Sequence, residues 1–191
     1  KHLPEFSGGE SPITVKQLLT HFSGLRADVD LEPEWSGYGT GVQKAYEEVP
    51  IVPPGSRFIY SDINYILLAE IVRKISGKSI DVFAKERIFR PLSMPETSFR
   101  PTENLSSRIA PTERLPNGTL LHGVVHDPTT RFMGGVSGHA GLFSTVDDLG
   151  RFAQMVLNGG RLGAIRVLSP LSLSTMTSPQ SPSAHPVLRG L

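Results

Sequence analysis

The chain carries 191 residues, with 19 Lys plus Arg set against 18 Asp plus Glu, six His and no Cys. A formal charge of +1 gives no clustered positive field for nucleic acid or an anionic membrane surface, and without Cys there is no disulfide framework, thiolate metal site or cysteine nucleophile. The length suffices for a sizeable core, the apolar runs fall short of the roughly 20 residues of a membrane span, and Gly and Pro together make up nearly a fifth of the sequence. Their usual share is about 12%, so long irregular connections between compact helices are expected.

In chain order, Thr14 and Gln17 fit a capping box, with Val15, Leu18 and Leu19 on one face before Ser23-Gly24 ends the first helix. Residues 26–57 hold Trp35, Tyr38 and many turn formers, and read as a packed loop around a short helix at 42–48. From Asp62 to Ser76, Ile63, Ile66, Leu67, Ile71, Val72 and Ile75 recur at helical spacing, and Gly77 sits where a C-terminal cap belongs. Ser79 caps a further helix through Ile80, Phe83, Ala84, Ile88 and Phe89, which Pro91 terminates. Asn117-Gly118 marks a hairpin turn between residues 109–115 and 119–125. Asp127-Pro128 reads as an N-cap and first helical residue. Ser144 and Thr145 open an amphipathic helix through Val146, Leu149, Phe152, Ala153, Val156 and Leu157 that stops at Asn158-Gly159-Gly160. Ser169-Pro170 opens a last short one. No internal repeat is present, and residues 178–191 are the candidate linker.

Four constellations bear on chemistry. Tyr60-Ser61-Asp62 lies at the mouth of the longest helix, where a tyrosine near the positive end of the helix dipole suits proton transfer; from position alone, capping by Ser61 or Asp62 is the favoured reading. Ser137 sits among glycines, but His139 stands where the G-x-S-x-G elbow needs Gly, so a tight loop is favoured over a nucleophile. His122, His126 and His139 with Asp127 have the chemistry of a zinc site, yet their spacing on strand and loop does not align ligands, and no metal is expected. His21 falls on the last turn of the first helix, where a structural contact with free carbonyls is favoured.

The segments Ile13-Thr-Val-Lys-Gln-Leu-Leu-Thr-His-Phe-Ser-Gly-Leu25, Pro54-Gly-Ser-Arg-Phe-Ile-Tyr-Ser-Asp62, Ile88-Phe-Arg-Pro-Leu-Ser-Met-Pro-Glu-Thr-Ser-Phe99 and Gly138-His-Ala-Gly-Leu-Phe-Ser-Thr145 occur in this order. Together they resemble the serine beta-lactamase and penicillin-binding-protein-like hydrolases, in the class C beta-lactamase and esterase branch. The run 109–113 with Val125-His126-Asp127 further resembles a bacterial subgroup sometimes fused to a beta-N-acetylglucosaminidase. The resemblance implies a serine of Ser-x-x-Lys that is acylated, a Tyr-x-Asn or Tyr-Ser-x motif across the cleft, and a Lys-Thr-Gly or His-x-Gly strand closing the site. Activation of a weak serine nucleophile by a neighbouring base is the physical core of such a mechanism. By resemblance Tyr60 is the tyrosine of the second motif, acting as general base or proton relay, with Ser61 following it and Asp62 in the third position.

Two departures shape the expectation. No Ser in the chain has Lys three residues on, and Ser23 with Arg26 comes nearest. His139-Ala140-Gly141 satisfies His-x-Gly in letters but runs straight into a helix. The resemblance therefore places the nucleophile before Lys1 and the closing strand after Leu191. Residues 1–191 are then expected to form a partial beta-lactamase-like domain, the mainly α-helical lobe of an α/β serine hydrolase with a candidate small hairpin, and to be inactive in isolation. The expected substrate is a small ester, amide or beta-lactam, and Asp62 in place of Asn favours neutral substrates over those bearing a carboxylate. No cofactor, nucleic acid or membrane span is expected. The expected partner is the sheet domain of the same parent protein, in a periplasmic or secreted bacterial setting. The competing expectation is a non-catalytic helical binding or scaffold domain that keeps the fold.

Overall fold

The computed structural model describes residues 2–180, so the expected linker lies outside the described residues from position 181 on. Helix α1, Val15–Leu19, is built by the expected capping box: Thr14 Oγ1 accepts from the Gln17 N–H at 3.2 Å and Gln17 Oε1 accepts from the Thr14 N–H at 2.8 Å. Helix α2 spans Tyr38–Glu47. It starts four residues earlier than its sequence suggests, although Gly39 and Gly41 are poor helix formers. Packing overrides propensity here: Val42, Ala45 and Tyr46 are buried, and a Cβ at Gly41 would stand 2.6 Å from Met133 Cγ.

Helix α3, Asp62–Ser76, matches the sequence expectation at both ends, and Gly77 closes it at φ 71° with its N–H on Arg73 O. Its face of Ile63, Ile66 and Leu67 is fully buried. Ser79 precedes α4, Ile80–Ala84, which widens into a π-helical turn over Lys85–Phe89 before the chain turns at Pro91. Three ribbons of two short antiparallel strands follow. Strand β1, Ser98–Phe99, and the pair β2, Glu113–Arg114, and β3, Leu120–Leu121, come first. Between β1 and β2 lies a 3₁₀ turn at Glu103–Arg108. Then come α5, Pro128–Phe132, and β4, Leu142–Phe143, which pairs with β1. Helix α6, Val146–Leu157, is capped by Thr145 Oγ1 on the Asp148 N–H. A hairpin of β5, Arg161–Leu162, and β6, Ile165–Arg166, leads to α7, Pro170–Met176, capped by Ser169.

The apolar side chains gather in two clusters. One holds Leu18, Leu25, Val42, Ile63, Ile66, Leu67 and Met133, uniting α1, α2, α3 and the end of α5. The other holds Ala84, Phe89, Leu92, Met94 and Met155, joining α4 and its π-helical turn to α6. The expectation of a mainly α-helical lobe is corrected by this architecture. Among the described residues helix makes up 39% and strand 7%, two further small sheets accompany the expected hairpin, which forms as β2 and β3, and the majority of the backbone is turn and irregular. The cause is visible in the composition, because the abundant Gly and Pro end helices early and hand the intervening chain to side-chain and turn hydrogen bonds. No helix among the described residues is long and apolar enough to cross a membrane.

Candidate active site

The stretch leading into α3 is held against residues 21–27 by a ladder of contacts. The Ile59 N–H donates to His21 O at 2.9 Å and the Asp62 N–H to Ala27 O at 2.7 Å. Between them, the Ser61 N–H donates to His21 Nδ1 at 3.1 Å and Ser61 Oγ–H to Arg26 O at 2.6 Å. Ser61 is fully buried. It occupies the N-cap position, yet its hydroxyl turns away from the helix N–H groups, so the capping reading of Ser61 is corrected: it is an anchor to the 21–27 strand of chain. Arg26 is itself fixed, with Nε donating to Glu48 at 2.8 Å and Nη1 to Asp30 at 2.7 Å.

This anchoring decides where Tyr60 goes. With Ser61 turned inward, the neighbouring side chain turns outward, and Tyr60 is 63% exposed. Its ring lies on the His21 imidazole, with centroids 4.6 Å apart and planes 30° from parallel. His21 was expected to meet the free carbonyls of α1. Instead it takes φ 59°, accepts the Ser61 N–H at Nδ1 and packs between Tyr60, Phe58 and Tyr65. Burial pushes its pKa down, in keeping with a neutral ring whose Nδ1 is an acceptor. The α1 carbonyl is served by Tyr65, whose hydroxyl donates to Leu19 O at 3.0 Å. The contact of His21 with the mouth of α3 escapes sequence reasoning, because no spacing signal links a turn after one helix to the mouth of another.

Asp62 faces the other way from Tyr60, toward the loop 134–141. That loop presses on α3 closely enough that a Cβ at Gly138 would stand 2.0 Å from Tyr65 O, and it delivers His139 to the helix mouth. His139 Nε2 lies 2.8 Å from Asp127 Oδ1 and 2.9 Å from Thr130 Oγ1, while Nδ1 lies 2.8 Å from Ser137 Oγ. Asp127 also accepts the Thr130 N–H at 2.6 Å, as the N-cap of α5 that its sequence predicts. One atom each of Asp62, Asp127 and His139 lie within 4.8 Å of one another. Burial alone would raise the Asp127 pKa, but the hydrogen bonds from His139 and Thr130 outweigh it and hold the carboxylate at about 2. For Asp62 burial prevails: its pKa is raised, with Asp28 and Asp127 adding to the rise and His139 opposing it.

Of the imidazoles considered together in the sequence, only His139 joins this group; His122 sits against Ile109 O instead. Ser137 is 2% exposed and its hydroxyl shares a hydrogen bond of 2.8 Å with His139 Nδ1. Beside Asp127 the surface opens into a cleft of about 690 Å³ walled by Ile109, Val125, Leu142, Phe143 and Val146.

The helix mouth thus carries a protruding tyrosine, a buried serine and a carboxylate in consecutive positions, set in a helix-and-ribbon frame. The family model for beta-lactamases matches residues 1–191. An N-acetylmuramyl-L-alanine amidase of Bacillus subtilis is 33% identical over 195 residues, covering 91% of this chain and 44% of that protein. Among solved structures, a beta-lactamase/D-alanine carboxypeptidase from Yersinia pestis superposes with TM-score 0.60 at 25% identity, over 78% of this chain and 40% of that one. A penicillin-binding-protein homologue from Caulobacter crescentus superposes with TM-score 0.71 over 93% of this chain and 52% of that one; at 21% identity it speaks for the fold alone. These neighbours are α/β folds, which completes the correction of the mainly α expectation. The chain belongs to the serine beta-lactamase and penicillin-binding-protein-like family of hydrolases. It spans about half the length of the curated relatives it matches.

Proposed function

We propose that the protein is an acyl-serine hydrolase of a small ester, amide or beta-lactam, in which Tyr60 is the general base or proton relay. The Ser-x-x-Lys nucleophile and the closing strand are carried outside these 191 residues, which are inactive alone. Asp62 holds the third position of the motif and Ser61 anchors it. The observation that carries this reading is the pairing of an exposed phenol with a fully buried neighbour: Tyr60 is displayed outward by a backbone that Ser61 pins to residues 21–27. Such preorganisation is what proton transfer in a transition state requires.

The names of the relatives support the substrate class, since an amidase and a carboxypeptidase both cleave acyl–nitrogen bonds. They also support a periplasmic or secreted setting next to the bacterial cell wall. Support for a partner domain comes from α6, where Val146, Leu149 and Leu157 are 85%, 53% and 79% exposed although the helix is amphipathic. An apolar face of this kind fits contact with the remainder of the parent protein.

The test is Tyr60→Phe in the full-length protein. Turnover of an acylating substrate falls by about 10²–10⁴-fold, the usual contribution of a positioned acid–base group, while circular dichroism is unchanged. Unchanged turnover would remove Tyr60 from the mechanism.

A further inference from the structure

The family resemblance accounts for Tyr60-Ser61-Asp62 but assigns nothing to the buried group that loop 134–141 brings against Asp62. We propose that His139, clamped by Asp127, is a positioning residue for Asp62: its ring, fixed at the mouth of α3 beside the motif carboxylate, sets the pH range over which that carboxylate works. This deepens the function proposed above and rests on it.

The geometry carries the argument. The side chain of His139 is only 3% exposed and engaged at both nitrogens, Nε2 by Asp127 and Thr130 and Nδ1 by Ser137. An imidazole gripped at both ends has one orientation, and that orientation places a ring nitrogen within 4.8 Å of a carboxylate oxygen of Asp62. Charges this close, in partly dry surroundings, interact by more than they would in water. The groups acting on Asp62 come from three other elements: Asp28 from the loop before α2, Asp127 from the start of α5, and His139 from the glycine-rich loop. Both aspartates raise its pKa and His139 alone opposes them. Asp28 is held in place by Thr129, whose hydroxyl donates to Oδ2 at 2.6 Å, so its influence is fixed as well. Position and charge thus combine in a small electrostatic balance, with His139 on one side and Asp28 and Asp127 on the other.

The balance predicts opposite responses to two substitutions. In the full-length protein, kcat/KM for p-nitrophenyl acetate is followed against pH for the wild type, His139→Gln, Asp28→Asn and Asp62→Asn. In His139→Gln the opposing group is gone, so the acid limb moves to higher pH and activity at the acid end drops about threefold to tenfold relative to the plateau. In Asp28→Asn a raising charge is gone, so the limb moves to lower pH. Asp62→Asn removes the limb. A merely structural role for His139 would lower the plateau and leave the limb where it was. Limbs that do not move, or move the same way in both variants, overturn the proposal. If His139→Gln does not fold, His139→Asn is read in the same way, and a limb that stays in place in that variant overturns the proposal. A wild type with no turnover at any pH would instead overturn the function on which the proposal rests.

Discussion

Glu70, in the middle of α3, and Asp62, at its first residue, are carboxylates on one helix, and their surroundings differ in kind. Glu70 is 1% exposed and accepts from Arg73 Nε at 2.7 Å and Nη2 at 2.6 Å, from Tyr38 Oη at 3.1 Å and from Tyr46 Oη at 3.2 Å. Burial would raise its pKa, but Arg73 and the two phenols outweigh burial and lower it. The phenols in turn are pushed up, first by burial and then by the charge they serve. Every acceptor site is taken by a group of the right sign, and the result is a closed knot that ties α2 to α3. Asp62 has no such partner set. Burial raises its pKa, two further aspartates add to the strain, and one imidazole opposes them. A carboxylate left this poorly compensated lowers stability, and proteins keep such groups where chemistry needs them.

The difference can be broken by substitution. Arg73→Ala leaves Glu70 buried with two phenols and no cation, and should cost about 1–3 kcal/mol, below the range for a fully buried pair because Arg73 is itself half exposed. The thermal midpoint then falls by several degrees, at about 2–4 °C per kcal/mol for a domain of this size. A midpoint that does not change would show the knot to be ornamental. Asp62→Asn should do the opposite, raising stability at neutral pH by about 1 kcal/mol, within the range seen when a functional strain is relieved, while the acid limb of the pH profile disappears. A destabilised Asp62→Asn would mean that the carboxylate is structural.

The smallest effect is in the pH dependence of stability. Glu70 and Asp127 have folded pKa values below their unfolded ones, so in that window the unfolded chain binds more protons and stability rises with pH. Their contribution is present above about pH 4, the unfolded value, and is lost as pH falls toward the Asp127 value of about 2. Asp62 acts with the reverse sign: its folded pKa is raised, so stability falls as pH rises through its titration. Denaturant midpoints measured between pH 2 and pH 6 should therefore fall toward acid less steeply than Glu70 and Asp127 alone would give, and Asp62→Asn should steepen the fall. An identical slope in the variant would sink the assignment of Asp62 as the opposing group.

Much of the frame is legible in the sequence because local rules suffice for it. The capping box at Thr14 and Gln17, the C-terminal Gly77, the Asp127-Pro128 start and the Thr145 and Ser169 caps each depend on residues within one turn. The Tyr60-Ser61-Asp62 motif is legible for the same reason, as a contiguous run. What escapes is whatever rests on distant pairing. The early start of α2 depends on Met133 fitting against Gly41, the β1–β4 ribbon on two residues from each of two remote segments, and the π-helical turn on how Phe89 and Leu92 reach the core. The stacking of Tyr60 on His21 and the grouping of Asp62, Asp127 and His139 belong to the same class. Their residues were visible as candidates, but the zinc and capping readings attached to them relied on spacing along the chain, and the fold brings them together through loops whose path spacing does not reveal.

The central claim is that these residues serve an acyl-serine mechanism whose nucleophile lies elsewhere in the protein. Its most direct test is to trap the full-length protein with a fluorophosphonate or a beta-lactam and map the covalent adduct by mass spectrometry. The account predicts one adduct, on a serine followed three residues later by lysine and outside residues 1–191, formed much more slowly in Tyr60→Phe. An adduct on a serine within residues 1–191, such as Ser137, or no adduct on an active wild type, would contradict it.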